Sequence, residues 1–431
     1  MERAFESISV IGMGYIGLPT AAVMASRGLP VIGVDVNPRA VNAINSGRAH
    51  FFEPELDALV KKAVDEGLLR AATQPEAAEA FIIAVPTPVA EDHAPDLRHV
   101  EAAAISIAPV LRRGNLIVLE STSPVGTTRR LSETLAALRP DLTFAREGVE
   151  ESDVFLAYCP ERIIPGHMIT ELLENDRIIG GLSSGSTARA ISLYRAFVRG
   201  RLVATSSRVA EMVKLTENAF RDVNIAFANE LSKLCDSLEI DAWDVVELAN
   251  HHPRVNVLQP GPGVGGHCIA VDPWFIIHGA AELTPLMQAA RKVNDSKPHY
   301  VVERLLTMVQ AKDTIACLGL TYKADTDDLR KSPALQVVEE LAARHPGPIL
   351  AVEPNLQALP ESLQKGGVEA ATLERALGSA DAILLLVDHR QFKVIEPACL
   401  QGKRIYDTRG IWPAYRTFRR GWNAGLLRAA S

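Results

Sequence analysis

The sequence predicts an α/β protein: two doubly wound parallel-sheet domains, one toward each end, joined by a central helical region containing one long helix. Three observations predict it. Short apolar runs alternate with helix-like stretches in the N-terminal part, and the same alternation returns near the C-terminus. Between them, residues 209–238 carry apolar side chains at helical spacing with no internal Pro or Gly. Alternation of strand and helix patterns is the signature of a parallel sheet wound on both faces. A chain of 431 residues also has room for two or three domains.

In chain order, SISVIGMG, VIGVDV, AFIIAVP and NLIVLEST are apolar enough to be strands buried on both faces. Helical patterns lie between them, for example Pro19 to Arg27 and Pro38 to Ser46. In the middle, Val209, Met212, Val213, Phe220, Phe227, Leu231 and Leu234 recur as on one helix, which would join the domains and support a dimer interface. Toward the end, DTIACLGL, PILAVEP, DAILLLVD and KRIYDTRG are again strand-like, with helical stretches such as Pro333 to Arg344 between them. Both ends therefore read as Rossmann-like, and the expected division is 1–205, 206–305 and 306–431. No repeat of solenoid period and no low-complexity segment is visible.

Composition narrows the function classes. Apolar residues make up 47% and charged residues 23%, an ordinary globular balance. No apolar run reaches the ~18 residues of a membrane span, and MERAFESISVIG reads as neither a signal peptide nor a transit peptide. A formal charge of −7 without a basic tract argues against nucleic acid and anionic membranes as partners. Five scattered cysteines without a CxxC pair fit a reducing compartment, so a cytoplasmic protein is expected.

Within VIGMGYIGLPTA, Gly12, Gly14 and Gly17 form GxGxxG between a strand and a helix. The first glycine permits the turn, the second admits a pyrophosphate to the backbone, and the third lets helix and strand pack closely. Asp35 ends the second strand, 18 residues after Gly17, where a carboxylate bonds ribose hydroxyls and repels a 2′-phosphate. NAD is thus favoured over NADP, and FAD is a lesser alternative. The C-terminal counterpart, CLGLTYKADTDDLRKSP, lacks the three glycines. Its Tyr322, Lys323 and Arg330 are available for phosphate or sugar, or simply form a solvated loop.

Chemistry points to two other segments. In EMVKLTENAFRDVN, Lys214, Asn218 and Arg221 fall on one helix face amid apolar neighbours. GPGVGGHCIAVDP, from Gly261 to Pro273, sets Cys268 and Asp272 four apart after a glycine-rich loop. A thiol of ordinary pKa ~8.5 becomes a nucleophile when a nearby ammonium lowers that value, and Lys214 could supply one. Asp272 before Pro273 reads as a helix N-cap. The plainer alternative, a cap and a loop filler, stays open on these residues alone. Cys235 and Cys317 read as packing residues, and His251, His252 and His267 lack metal-binding spacing, so no metal is expected. A nicotinamide cofactor beside a nucleophilic cysteine suits a four-electron oxidation. The thiolate adds to an aldehyde, the adduct is oxidised to a thioester, and water releases the acid.

Seven segments together resemble the UDP-glucose/GDP-mannose dehydrogenase family: VIGMGYIGLP, AVPTP, ESTSPVGTT, YCPERIIPG, KLTENAFRDVNIAFANEL, GPGVGGHCIAVDP and GLTYKADTDDLRKSPA. They occur in the family's order over nearly the whole chain. The resemblance implies an N-terminal NAD domain, a central helical dimerisation region and a C-terminal UDP-sugar domain. It implies Cys268 as nucleophile, Lys214 as proton carrier and oxyanion partner, Asp272 and Asn218 positioning water and the reacting oxygen, and Glu161 and Thr122 handling water. NAD would meet Tyr15, Ile16, Asp35, Thr87, Thr122, Thr128 and Arg330. The UDP-sugar would meet Arg162, Ile163, Lys214, Asn218, Arg221, His252, Arg254, Gly265, Tyr322 and Lys323, with His252 and Arg254 as candidates for contacts across a homodimer. The wording HCIAVD, with His before the cysteine and Val before the aspartate, favours the acetamido-sugar branch, and UDP-N-acetyl-D-mannosamine is the expected substrate. UDP-N-acetyl-D-glucosamine and UDP-glucose are the alternatives. A two-electron 3-hydroxyacid-type dehydrogenase would leave Cys268 without a task, and a non-catalytic sugar-nucleotide binder would leave the whole constellation without one.

Overall fold

The structure is a computed structural model that describes residues 5–415 except Phe52, Glu91 and Pro165. The chain divides into two compact units. One comprises residues through Glu217 together with Trp274–Gly279, and the other Asn218–Pro273 together with Ala280 onward.

The first unit is built on an eight-stranded sheet. Its strands are β1 (Ile8–Ile11), β2 (Val31–Val34), β3 (Leu69–Ala72), β4 (Ala80–Ile83), β5 (Leu116–Leu119), β6 (Phe155–Tyr158), β7 (Arg177–Gly181) and β8 (Leu202–Ser206), in spatial order β3-β2-β1-β4-β5-β6-β7-β8. All neighbours run parallel except β6 and β7, which are antiparallel. β1, β4 and β5 are buried along their whole length because helices cover both faces. One face packs on Leu18, Met24, Val60 and Leu193, and the other on Val100, Ile107, Leu131 and Leu135.

The second unit carries a five-stranded, wholly parallel sheet: β9 (Ile315–Leu318), β10 (Ile349–Val352), β11 (Glu369–Ala370), β12 (Ala382–Leu385) and β13 (Arg404–Asp407), in order β11-β10-β9-β12-β13. Val301, Leu305, Val337 and Leu341 cover one face, and Ala376, Phe392 and Trp412 the other. The expected α/β class with two doubly wound, Rossmann-like sheets is what the chain adopts.

Local chemistry explains the helix starts. Asn37 accepts from the Arg39 N–H at 3.0 Å and caps helix Pro38–Asn45, whose proline occupies a first-turn position. Ser332 does the same for Pro333–Arg344, accepting from Leu335 N–H at 3.2 Å. The predicted long helix runs Ser207–Leu238, beginning two residues earlier than its apolar pattern. Among the described residues no helix is long and apolar enough to cross a membrane.

Candidate active site

In the first unit the glycine-rich turn joins β1 to helix Gly17–Ser26. Gly12 sits at φ +92, and a Cβ there would lie 2.8 Å from the Ala84 carbonyl oxygen. A Cβ on Gly17 would lie 1.8 Å from the Gly12 oxygen, so helix and turn meet only without a side chain. Gly14 has no atom within 4 Å of where its Cβ would stand, which leaves the backbone open to a phosphate. Asp35, just past β2, is anchored: its Oδ2 accepts from Met13 N–H at 2.9 Å and its Oδ1 from Asn37 N–H at 2.8 Å. The crevice lies where strand order reverses around β1 and β4, the usual ligand position in open α/β sheets. These residues fit a dinucleotide.

Of the other expected cofactor contacts, Tyr15 is exposed with its ring 4.3 Å from that of Phe51, and Ile16, Thr87 and Thr122 are half-buried. Thr128 is buried, and its hydroxyl donates to Glu211 Oε1 at 2.7 Å. Glu211 also accepts from the Gly126 and Thr128 N–H groups at 2.6 and 2.8 Å, placing a carboxylate on the N-terminus of helix Thr127–Leu138. Burial raises the Glu211 pKa, and those three bonds oppose the rise. Sequence reasoning missed Glu211, which lies 83 residues from Thr128 and belongs to no local pattern.

Glu161 leaves the end of β6 and is buried. Its Oε1 accepts from Arg162 N–H at 2.7 Å, and its Oε2 pairs with Arg177, itself 1% exposed. Arg177 was also missed; the antiparallel turn of β7 brings it there, and no motif marks it. The Arg162 guanidinium pairs with Glu217 at 2.8 Å and donates to the Asp176 carbonyl oxygen. Ile163 beside it is half-buried.

The second unit holds the glycine-rich loop. Cys268 is exposed and lies in a run of turns, its carbonyl accepting from Val271 and Asp272 N–H groups at 3.0 and 2.8 Å. Helix Asp272–Gly279 begins at Asp272 itself, so the expected N-cap is instead the first helical residue. Its carboxylate has another partner: Oδ2 accepts from Asn218 Nδ2 at 2.6 Å, with both side chains buried. The glycines serve close packing on the start of the second sheet's first loop. A Cβ on Gly265 would lie 2.5 Å from the Lys331 oxygen and 2.8 Å from Tyr322 Cβ. Gly266, at φ +83, would meet the Tyr322 ring at 2.8 Å, and its N–H donates to the Arg330 carbonyl at 3.2 Å. Arg330 forks onto Asp328, Nε to Oδ1 at 2.8 Å. Partial burial lowers the His267 pKa, and the charges of Arg330 and Lys331 lower it further.

Cys268, Asp272, Asn218, Gly265, Tyr322, Lys323 and Arg330 thus belong to one unit, with the loop packed on Tyr322 and the Asn218–Asp272 bond at its end. Glu161, Arg162, Ile163, Thr122 and the dinucleotide residues belong to the other. Lys214 stands one helical turn before Asn218 on the long helix, and Arg221, further along the same face, is exposed. His252 and Arg254 lie on an exposed turn, where Arg254 N–H approaches His252 Nδ1 at 3.3 Å. Among the described residues, the one group of three donors within reach of a common ion is His299, Glu303 and Glu340, and Arg344 already pairs with both carboxylates.

Comparison with known proteins decides the family. Three models of the UDP-glucose/GDP-mannose dehydrogenase family match in succession: the NAD binding domain over residues 6–198, the central domain over 208–296 and the UDP binding domain over 316–414. The chain belongs to the UDP-glucose/GDP-mannose dehydrogenase family. It is an NAD-dependent oxidoreductase of that family, with a UDP-sugar as substrate class. It is 56% identical over 422 residues to the NDP-N-acetyl-D-galactosaminuronic acid dehydrogenase of Ralstonia nicotianae, covering 96% of this chain and 99% of that protein. It is 55% identical over 419 residues to the UDP-N-acetyl-D-mannosamine dehydrogenase of Yersinia pestis, covering 95% and 100%. A solved UDP-D-ManNAc dehydrogenase from Pyrococcus horikoshii superposes with a TM-score of 0.85 at 38% identity, covering 94% of this chain and 96% of that one.

The loop geometry of this family member makes a direct prediction. Gly266→Ala forces a side chain into positive φ and onto the Tyr322 ring, so it should cost about 1–3 kcal/mol and lower turnover. Chemical denaturation together with an NADH-release assay checks this, and an Ala variant of native stability and rate would show that the packing is not required.

Proposed function

We propose that this enzyme oxidises the 6-hydroxyl of UDP-N-acetyl-D-mannosamine to the carboxylate, using two NAD and one water, and that the product feeds surface-polysaccharide assembly. In this reading residues 1–205 hold NAD, 206–305 carry the catalytic and dimerising helices, and 306–431 hold the UDP-sugar. The observation that carries the chemistry is the exposed Cys268 thiol four residues before Asp272, whose buried carboxylate is bonded to Asn218.

NAD, when bound, accepts hydride from the reacting carbon twice in succession. The chain's own residues do the rest. Lys214 takes the hydroxyl proton and stabilises the oxyanion, and Cys268 Sγ adds to the aldehyde carbon. Oxidation of that thiohemiacetal leaves a thioester on Cys268, and water cleaves it to regenerate the thiol. Asn218 and Asp272 orient water and the reacting oxygen, joined by Glu161 and Thr122. Arg162, Arg221 and Arg254 suit the diphosphate because a guanidinium bonds two oxygens at once. Ile163, His252, Gly265, Tyr322 and Lys323 complete the sugar-nucleotide contacts, and Arg330 adds one to NAD.

The mannosamine substrate is supported by the HCIAVD wording and by the names of relatives at 52–55% identity. One observation favours a second reading: the relative at 56% is named for N-acetyl-D-galactosaminuronic acid, so a galacto-configured substrate is the rival. The enzyme is offered UDP-N-acetyl-mannosamine, -galactosamine and -glucosamine and UDP-glucose separately, and NADH is counted per sugar. Two NADH per UDP-N-acetyl-D-mannosamine at the highest kcat/KM is expected, and preference for the galacto sugar would replace the substrate while keeping the chemistry. Cys268→Ser should lose acid formation by at least about a thousandfold while NAD affinity stays near native. Two NADH per sugar at the original rate from that variant would end the covalent mechanism.

A homodimer belongs to the same reading. Phe220, Phe227 and Leu234 recur at seven-residue spacing on the long helix and are 65%, 54% and 53% exposed in the single chain. An apolar stripe of that period suits a second helix. Native protein should sediment as a dimer and Phe227→Asp as a monomer in analytical ultracentrifugation; a native monomer would remove the dimer from the proposal.

A further inference from the structure

A group of buried ionisable side chains in the first unit has more members than the reaction uses. β5 and β6 are neighbours, with Leu119 opposite Tyr158, so Glu120 and the segment Cys159–Glu161 leave their carboxyl ends side by side. The antiparallel pairing of Ala157 with Gly181 and Tyr158 with Gly180, continued outward, sets Glu161 against Arg177, and the two form the buried ion pair described above. Glu120 is 3% exposed. Tyr194, on helix Ser184–Arg195, donates to Glu120 Oε1, while Oε2 is buried with no hydrogen-bond partner.

The ionisable groups facing Glu120 are Cys159, Glu161, Arg177 and Tyr194. Burial pushes the Cys159 thiol up to about 12 and holds the Tyr194 phenol well above its ordinary value, so both are neutral at working pH. One cation is left among two carboxyls. With both carboxyls ionised, the enclosed cluster would carry an uncompensated negative charge, which burial makes costly. A single proton removes it. Glu161 already receives Arg177 and the Arg162 N–H, so the proton falls to Glu120. Burial foremost, and then the charge of Glu161, raise the Glu120 carboxyl to about 7, against the opposing pull of Tyr194 and Arg177.

We propose that Glu120 is a positioning residue for Glu161: a buried acid holding the one proton the two carboxyls share, which keeps Glu161 on Arg177 in the orientation where it handles water. The inference rests on the reading of Glu161 as a water-handling group. Ionisation of Glu120 sets a second carboxylate in competition for Arg177 and loosens Glu161. Hydrolysis of the enzyme-bound thioester is the step it affects.

The test uses full-length enzyme, saturating NAD and whichever sugar nucleotide of the panel above turns over fastest, with kcat measured across pH for native, E120Q, E120L, Y194F and E161Q. Glutamine copies the neutral acid but cannot ionise. The ratio of E120Q to native kcat should therefore rise about threefold or more from about pH 6 to about pH 8.5, and E120L should fall about tenfold below E120Q at the acid end. Y194F, which removes a bond favouring the charged carboxyl, should move the native inflection to higher pH. A ratio constant across pH, or E120Q no better than E120L, overturns the proposal. Should E120Q melt out of the folded state, Y194F decides: an inflection moved upward supports the proposal, and an unmoved one overturns it. E161Q separates the two readings, because native turnover in that variant removes the water role of Glu161 itself, whereas slow E161Q with a flat E120Q ratio removes only the role of Glu120.

Discussion

The position of Cys268 depends on a contact that only glycine permits. Gly265 and Gly266 lie so close to Tyr322 and to the Lys331 carbonyl that any Cβ would overlap them. Two residues later the chain presents an exposed thiol, and four further on Asp272 is bonded to Asn218. The loop is thereby held at both ends, by backbone contact with the second sheet's first loop and by a buried polar bond to the long helix. In the proposed role of Cys268 such restraints would supply orientation, which is a large part of what a catalytic site contributes. The freedom implied by four glycines in the sequence is spent on close approach rather than on motion.

How much of this was legible in the sequence follows from burial. The strands read correctly, β1, β2, β4, β5, β9, β10, β12 and β13, are mostly apolar runs covered on both faces, and such runs announce themselves. The strands that were missed are mostly different; the exception is β6, a largely buried apolar run of only four residues that went unread. β3 alternates buried and exposed residues, β8 is largely exposed at the sheet edge, and β11 is two exposed residues long. Edge strands bury one face or none, so their composition resembles that of loops. β7 was missed for another reason: it carries Arg177 at one end and Gly180 and Gly181 at the other, and its direction is set by pairing with β6, which no local pattern encodes.

The same contrast divides the site. The local settings of Gly12, Gly14, Gly17, Asp35 and Cys268 were legible because they are local in sequence: a turn, a strand end, a loop before a helix. Arg177, Glu211, Tyr194 and Glu120 were not, since each acts on a residue brought close by the fold, 16, 83 and 74 residues away for the Arg177–Glu161, Glu211–Thr128 and Tyr194–Glu120 bonds. The Asn218 partner of Asp272 was unreadable for a related reason: it donates to that buried carboxylate from another helix, 54 residues away.

The two sheets also show why similar topology yields different ligands. In each, a carboxylate at the end of the second strand reaches the turn after the first: Asp35 accepts from Met13 N–H, and Glu353, just past β10, accepts from Leu320 N–H at 2.7 Å. Asp35 is half-buried at the end of β2, the position of a ribose partner in dinucleotide-binding sheets. Glu353 is instead internalised: His389, fully buried, lies 3.1 Å from its Oε2, and the turn glycine, Gly319, is packed against Val387. Each carboxylate takes a backbone N–H on both oxygens, Glu353 Oε1 from Asn355 at 3.0 Å as Asp35 Oδ1 takes Asn37, so what sets Glu353 apart is the buried His389 imidazole on its Oε2 and its own burial. With its carboxylate enclosed by His389 and its turn glycine packed against Val387, the second turn does not repeat the dinucleotide contacts of the first. The next stretch of the same loop instead carries Tyr322, which packs on Gly265 and Gly266 ahead of the cysteine.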